Sequence, residues 1–129
     1  MKILLIGFDQ DSFRKIKETL SGVEIQGVYT LEEAESIITV SPDAKEVKII
    51  VINSTMFLPA EKLIPVGQFI ERIKPIYQEV IVVVTNSFDT HWKILSKLGA
   101  THRAHDFTVQ MLLQNILKDK NQPQEVKCT

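Results

Sequence analysis

Three short, uninterrupted apolar runs constrain this chain most: Ile3-Leu4-Leu5-Ile6, Ile49-Ile50-Val51-Ile52 and Val80-Ile81-Val82-Val83-Val84. Each is too short for a buried helix, and the last two are rich in β-branched residues, which fit a pleated surface. A strand that is apolar on every residue has both faces covered. A fourth, weaker run, Val23 to Tyr29, alternates Val23, Ile25 and Gly27 against Glu24, Gln26 and Val28. Ala100 to His105 supplies a short fifth.

Amphipathic stretches separate these runs. Phe13, Ile16 and Leu20 recur at helical steps, with Asp11 or Ser12 as the expected cap and Ser21-Gly22 as the stop. Thr30-Leu31-Glu32-Glu33 fits a capping box, followed by Ala34, Ile37 and Ile38 on one face. Gly67 to Lys74 carries Phe69, Ile70 and Ile73, and Pro75 marks its end. Asp89 or Thr90 opens a helix with Trp92, Leu95 and Leu98 inward and Gly99 as its stop. Thr108 opens the last, striped by Val109, Leu112, Leu113, Ile116 and Leu117. The order is β-α five times over. That order predicts an α/β fold: a parallel five-stranded sheet with right-handed crossovers and helices on both faces. The expected domain is 1–118, with 119–129 a polar tail or the start of a linker to an output domain.

Composition narrows the function classes. With 129 residues the chain has room for one core. Fifteen Lys+Arg against sixteen Asp+Glu leave a net charge of -1, which gives this domain no electrostatic reason to bind nucleic acid. The single cysteine, Cys128, rules out an internal disulfide and a Cys-rich metal site, and reads as incidental. No apolar run approaches a membrane span, and the first residues read as a strand rather than a signal peptide, so a cytoplasmic setting is expected. There is no G-x-G-x-x-G after a strand, no P-loop and no G-x-S-x-G elbow.

Ligands in such sheets bind outside the carboxyl ends of the strands. Those ends are Gly7-Phe8-Asp9, Asn53-Ser54-Thr55, Thr85-Asn86-Ser87 and Arg103-Ala104-His105-Asp106. Five βα units, Lys2 to Ile6 as first strand, Glu33-Ala34 in the second helix, Gly67 to Lys74, Val82-Val83-Val84-Thr85 and Gly99-Ala100 together resemble the receiver domain of two-component response regulators. The resemblance covers residues 2 to about 118 and implies the flavodoxin-like, CheY-like three-layer sandwich with strand order 2-1-3-4-5.

A working receiver of that family uses an acidic pair for Mg²⁺, an acceptor carboxylate, a switch hydroxyl and a Lys. Phosphoryl transfer leaves charge on oxygens that a metal and a fixed cation neutralise. Carried over by position, the acidic pair falls on Gly7-Phe8, with Asp9 one residue later. The acceptor falls on Asn53, whose amide forms no acyl phosphate. The hydroxyl is kept as Thr85. The Lys falls on Asp106, or on His105 if the strand is one residue short, and the fifth strand's aromatic falls on Arg103. The segment Thr55 to Val66, containing Met56, Phe57 and Leu58, looks longer than the family's and is expected to rim the pocket, with Phe57-Leu58 closing over it.

The resemblance thus implies a degenerate receiver that is no enzyme. It acts as a phosphorylation-independent interaction or dimerisation module, with no cofactor and no metal expected. Its partner is a protein or a second copy, met through the surface from Asp89 to Leu117, including Trp92 and Arg103. Trp92 reads as core packing, with an interface anchor as rival. Asn53 reads equally as a strand-end residue bonding turn groups. His91, His102 and His105 read as surface histidines, since a strand sends residues three apart to opposite faces. The alternative is a flavodoxin-like small-molecule binder using the loops after Gly7, Asn53 and Thr85. An enzyme built on Asp9, His105 and Asp106 ranks below both.

Overall fold

A computed structural model describes residues 2–20, 22–40, 46–53, 56, 60–75, 80–85, 87–105 and 108–121. Five strands, β1 (Lys2–Ile6), β2 (Glu24–Val28), β3 (Val47–Ile52), β4 (Ile81–Thr85) and β5 (His102–Ala104), alternate with five helices. These are α1 (Gln10–Thr19), α2 (Leu31–Val40), α3 (Ala60–Ile73), α4 (Asp89–Leu98) and α5 (Val109–Asn121). The strands form one sheet in the order β2-β1-β3-β4-β5, and every pairing is parallel. This is the doubly wound architecture expected from the strand-helix alternation.

The apolar runs are continuous because successive residues feed two cores. Ile3, Leu5, Ile49, Val51 and Val83 join Ile16 of α1, Leu20 at its C-terminal cap, and Leu113 and Leu117 of α5. Leu4, Ile6, Ile50, Ile52, Val82 and Val84 join Ala34 and Ile38 of α2, Phe69 and Ile70 of α3, and Leu95 of α4. Burying one such aliphatic side chain contributes roughly 1.5–3 kcal/mol.

Two helix starts differ from expectation. α1 is capped by Asp9, not by Asp11 or Ser12: the Ser12 N–H donates to Asp9 Oδ1 at 2.7 Å. α3 begins at Ala60, seven residues before Gly67, so much of the presumed rim loop is helix. Pro65 removes one helical N–H, the one that would reach the Glu61 carbonyl, but it lies on the exposed side. Burial of Val66, Phe69, Ile70 and Ile73 holds the helix through it. α4 starts at Asp89, as expected, with Phe88 at its cap position and no side-chain cap bond. The capping box at Thr30 forms: Glu33 N–H donates to Thr30 Oγ1, and Thr30 Oγ1 donates to Glu33 Oε1, both at 3.1 Å. Gly99 ends α4 with φ 132°, a conformation that favours glycine.

Candidate functional site

Parallel register places the strand ends in one row. Ile6 lies opposite Ile52, Ile52 opposite Val84, and Val84 opposite Arg103. Gly7, Asn53, Thr85 and Ala104 therefore follow side by side at the carboxyl edge, with His105 one residue further.

The two central members are tied together. Asn53 Nδ2 donates to the Gly7 carbonyl at 3.0 Å, and the Asn53 N–H donates to the Ile6 carbonyl at 3.0 Å. The Asn53 carbonyl accepts from Met56 N–H at 2.9 Å. The Asn53 side chain thus bonds a carbonyl, a role that needs a donor and that an ionised aspartate lacks, while the turn amide of Met56 bonds its backbone. Gly7 has φ 81°, and its N–H donates to the Val28 carbonyl at 2.9 Å. A side chain at residue 7 would carry the strain of that left-handed conformation. Phe8 is 6% exposed and belongs to the core beneath α1 and α5. Asp9 is committed to the α1 cap. The Ser12 backbone N–H holds its carboxyl below the ordinary value of 3.8. Asp9 therefore serves the helix, and the slip that would bring it into the strand-end row is not the arrangement observed.

Thr85 is fully buried at the end of β4, opposite Ala104. His105 is exposed. Its N–H donates to Thr108 Oγ1 at 3.2 Å, and its carbonyl accepts from the N–H groups of Thr108 and Val109 at 2.9 Å. It therefore shapes the start of α5. Asp106 lies outside the described residues, as do Ser54, Thr55, Phe57, Leu58, Asn86 and Cys128. Among the described residues no group of three or more His, Cys, Asp or Glu side chains gathers to hold a metal ion.

Trp92 and Arg103 form a single cluster. The Arg103 guanidinium lies 5.7 Å from the Trp92 ring centroid. Nη1 donates to Asp89 Oδ1 at 3.0 Å, and Nη2 donates to the Ser87 carbonyl at 2.7 Å. Trp92 is half-buried against the core of the α2–α4 layer, so packing and surface contact coincide in one residue. The sequence reading selected both residues but missed the clasp. Its one visible sign was Asp89, a carboxylate shortly beyond the end of β4. Sequence reasoning also missed a cavity on the β2 side, lined by Phe8, Phe13 and Tyr29 among others. Gly27 inside a strand was the available signal for it.

No protein-family model and no curated protein matches the chain. Solved structures do. An orphan response regulator of H. pylori superposes with a TM-score of 0.70 at 18% identity, over 92% of this chain and 94% of its own. A response regulator from Thermotoga maritima gives a TM-score of 0.68 at 18% identity over the same shares. The chain has the receiver fold. An atypical orphan response regulator, described as having a phosphorylation-independent regulatory mechanism, is similar over 80% of this chain and 79% of its own. Its TM-score is 0.60 at 19% identity. At such identities the likeness is one of fold, and what the receiver fold does in this chain rests on its own residues. No helix among the described residues is long and apolar enough to cross a membrane.

Proposed function

We propose that this chain is a signalling module of receiver fold that works by protein contact and not by accepting a phosphoryl group. The observation that carries this reading is the bond from Asn53 Nδ2 to the Gly7 carbonyl. The bond joins an amide and a glycine at two of the three positions to which the receiver resemblance would assign acidic side chains, and Phe8 stands at the third. An amide forms no acyl phosphate, and Gly7-Phe8 offers no side-chain oxygen to a hard cation.

The partner is another protein or a second copy, met through α4, β5 and α5. Phe88, Ile94 and Met111 are exposed large apolar side chains in that stretch. The Arg103 clasp supports the reading by tying the residues before α4 to β5, which gives a partner a fixed surface. The test is incubation with Mg²⁺ and radiolabelled acetyl phosphate, beside sedimentation of the same sample. The expected result is no stoichiometric label and an unchanged sedimentation profile. Asn53→Asp alone is expected to stay unlabelled, because Gly7 and Phe8 still supply no acid. Stoichiometric labelling of the parent chain overturns the reading, and labelling of the variant overturns the assignment of Gly7-Phe8.

A further inference from the structure

Next to the Gly7 end of the strand-end row, the β2 edge of the sheet carries a half-open cavity of about 420 Å³ between α1 and the end of β2. That volume lies within the range of small-molecule sites, about 300–1,000 Å³. Its apolar lining is mainly aromatic: Phe8, Phe13 and Tyr29, with Val28 beside them. Phe8 belongs to the core, whereas Tyr29 is 60% exposed, a large ring left open to solvent.

Gly27 also lines the cavity, and a Cβ there would meet the Phe13 ring at 3.0 Å. Glycine inside a strand is costly and marks a close approach to the backbone. Here the approach is that of the Phe13 ring, and it sets the position of one aromatic wall.

The polar lining adds selectivity. Asp11 and Arg14 pair with each other at 2.8 Å, so the two charges of the lining cancel, and the Lys17 ammonium stands 5.9 Å over the Phe13 ring. The Gln10 amide and the Tyr29 hydroxyl make no side-chain hydrogen bond to a described residue. An amide presents a donor and an acceptor together, and a phenol does both at one atom. Aromatic walls, cancelled charge and a donor-acceptor edge fit a flat, uncharged ring with a polar edge. A carboxylate ligand would meet Asp11 beside Arg14, and a cation would meet Arg14 beside Asp11.

We propose that the cavity between α1 and β2 binds a neutral planar aromatic small molecule bearing a hydrogen-bonding edge, stacked against Phe13 and Tyr29. This site is separate from the surface proposed for protein contact and stands whether or not that surface is used. The test is titration of the isotope-labelled 129-residue chain with benzamide, cyclohexanecarboxamide and benzoate, following backbone amide resonances. The first two share a carboxamide and differ in ring planarity; the first and third share a ring and differ in charge. Benzamide is expected to give saturable shifts centred on Gln10, Phe13, Gly27 and Tyr29. The other two are expected to bind several-fold more weakly. Tyr29→Ala, at an exposed position, is expected to weaken benzamide by roughly fivefold or more. Gly27→Ala, which displaces the Phe13 ring, is expected to weaken it as well. Absent or unsaturable shifts, shifts centred elsewhere, equal binding of either comparison compound, or undiminished binding by Tyr29→Ala overturns the proposal.

Discussion

At Asn53, one side-chain atom decides between two chemistries. The amide nitrogen donates to the Gly7 carbonyl, and a carboxylate in its place would set oxygen against oxygen. Asn53→Asp is therefore expected to destabilise the fold by about 1–2 kcal/mol at neutral pH, read from urea unfolding. A protonated aspartic acid can donate again, so the folded state favours the protonated form and the gap to the parent narrows as pH falls toward the carboxyl range. Asp9 titrates on the other side of the ordinary carboxylate value. Its charged form accepts the Ser12 N–H, and its pKa is lowered from 3.8. Its contribution is then complete above that value and is lost as pH falls through the lower, folded pKa. Asp9→Ala is expected to be less stable than the parent at pH 7, with Asp9→Asn close to the parent because it keeps the capping oxygen. The parent–Ala difference is expected to shrink in strong acid to what a neutral capping oxygen supplies; a difference independent of pH would count against the carboxylate's charge in the cap. That Asn53 stands at a strand end was legible in the sequence, because Ile49 to Ile52 closes on it. The direction of its hydrogen bond was not, since the Gly7 carbonyl lies 46 residues away.

Legibility at the scale of elements follows the same physics. β1, β3 and β4 announced themselves because strands covered on both faces must be apolar throughout. β5 was faint because it is a three-residue edge strand carrying His102 and Arg103. The start of α3 was hidden by Pro65, a local signal against helix that tertiary burial overrides. Arg103 illustrates what no periodicity reveals. It joins β5 to α4 through Trp92 and Asp89 and to the Ser87 carbonyl. Its planar fork reaches two acceptors while its face meets the indole, a geometry lysine lacks. Arg103→Lys is thus expected to behave almost like Arg103→Ala. Each should cost about 1 kcal/mol and raise amide exchange at the start of α4. A Lys variant as protected as the parent would show that charge alone, and not the clasp, holds this corner. At the other end of the same helix, Gly99 has φ 132°, and a Cβ there would meet Lys74 Cγ at 2.6 Å. Gly99→Ala is expected to lower stability by about 1–3 kcal/mol, measured as a urea midpoint.

Across the whole molecule the sheet is a shared floor for two cores, since neighbouring residues of β1 and β3 feed opposite layers. Neither layer can lose its packing without exposing the strand backbone that the other covers. The chain should unfold as one unit despite its two hydrophobic clusters. Phe69 is fully buried in the α2–α4 layer and Leu113 in the α1/α5 layer. Phe69→Ala is expected to cost about 3–5 kcal/mol and Leu113→Ala about 2–5 kcal/mol. Trp92, the only tryptophan, reports the corner between α4 and β5, whereas circular dichroism reports every helix. For Leu113→Ala the two transitions should coincide, although the lost side chain lies across the sheet from Trp92. Were the Trp92 transition to stay at the parent's midpoint while the helical signal moved, the layers would be independent. The clasped α4–β5 corner would then be stable apart from the α1/α5 layer. Coincidence means instead that a partner of the kind proposed for that corner would draw on the stability of the entire sheet. Binding there should raise the common midpoint of both signals together.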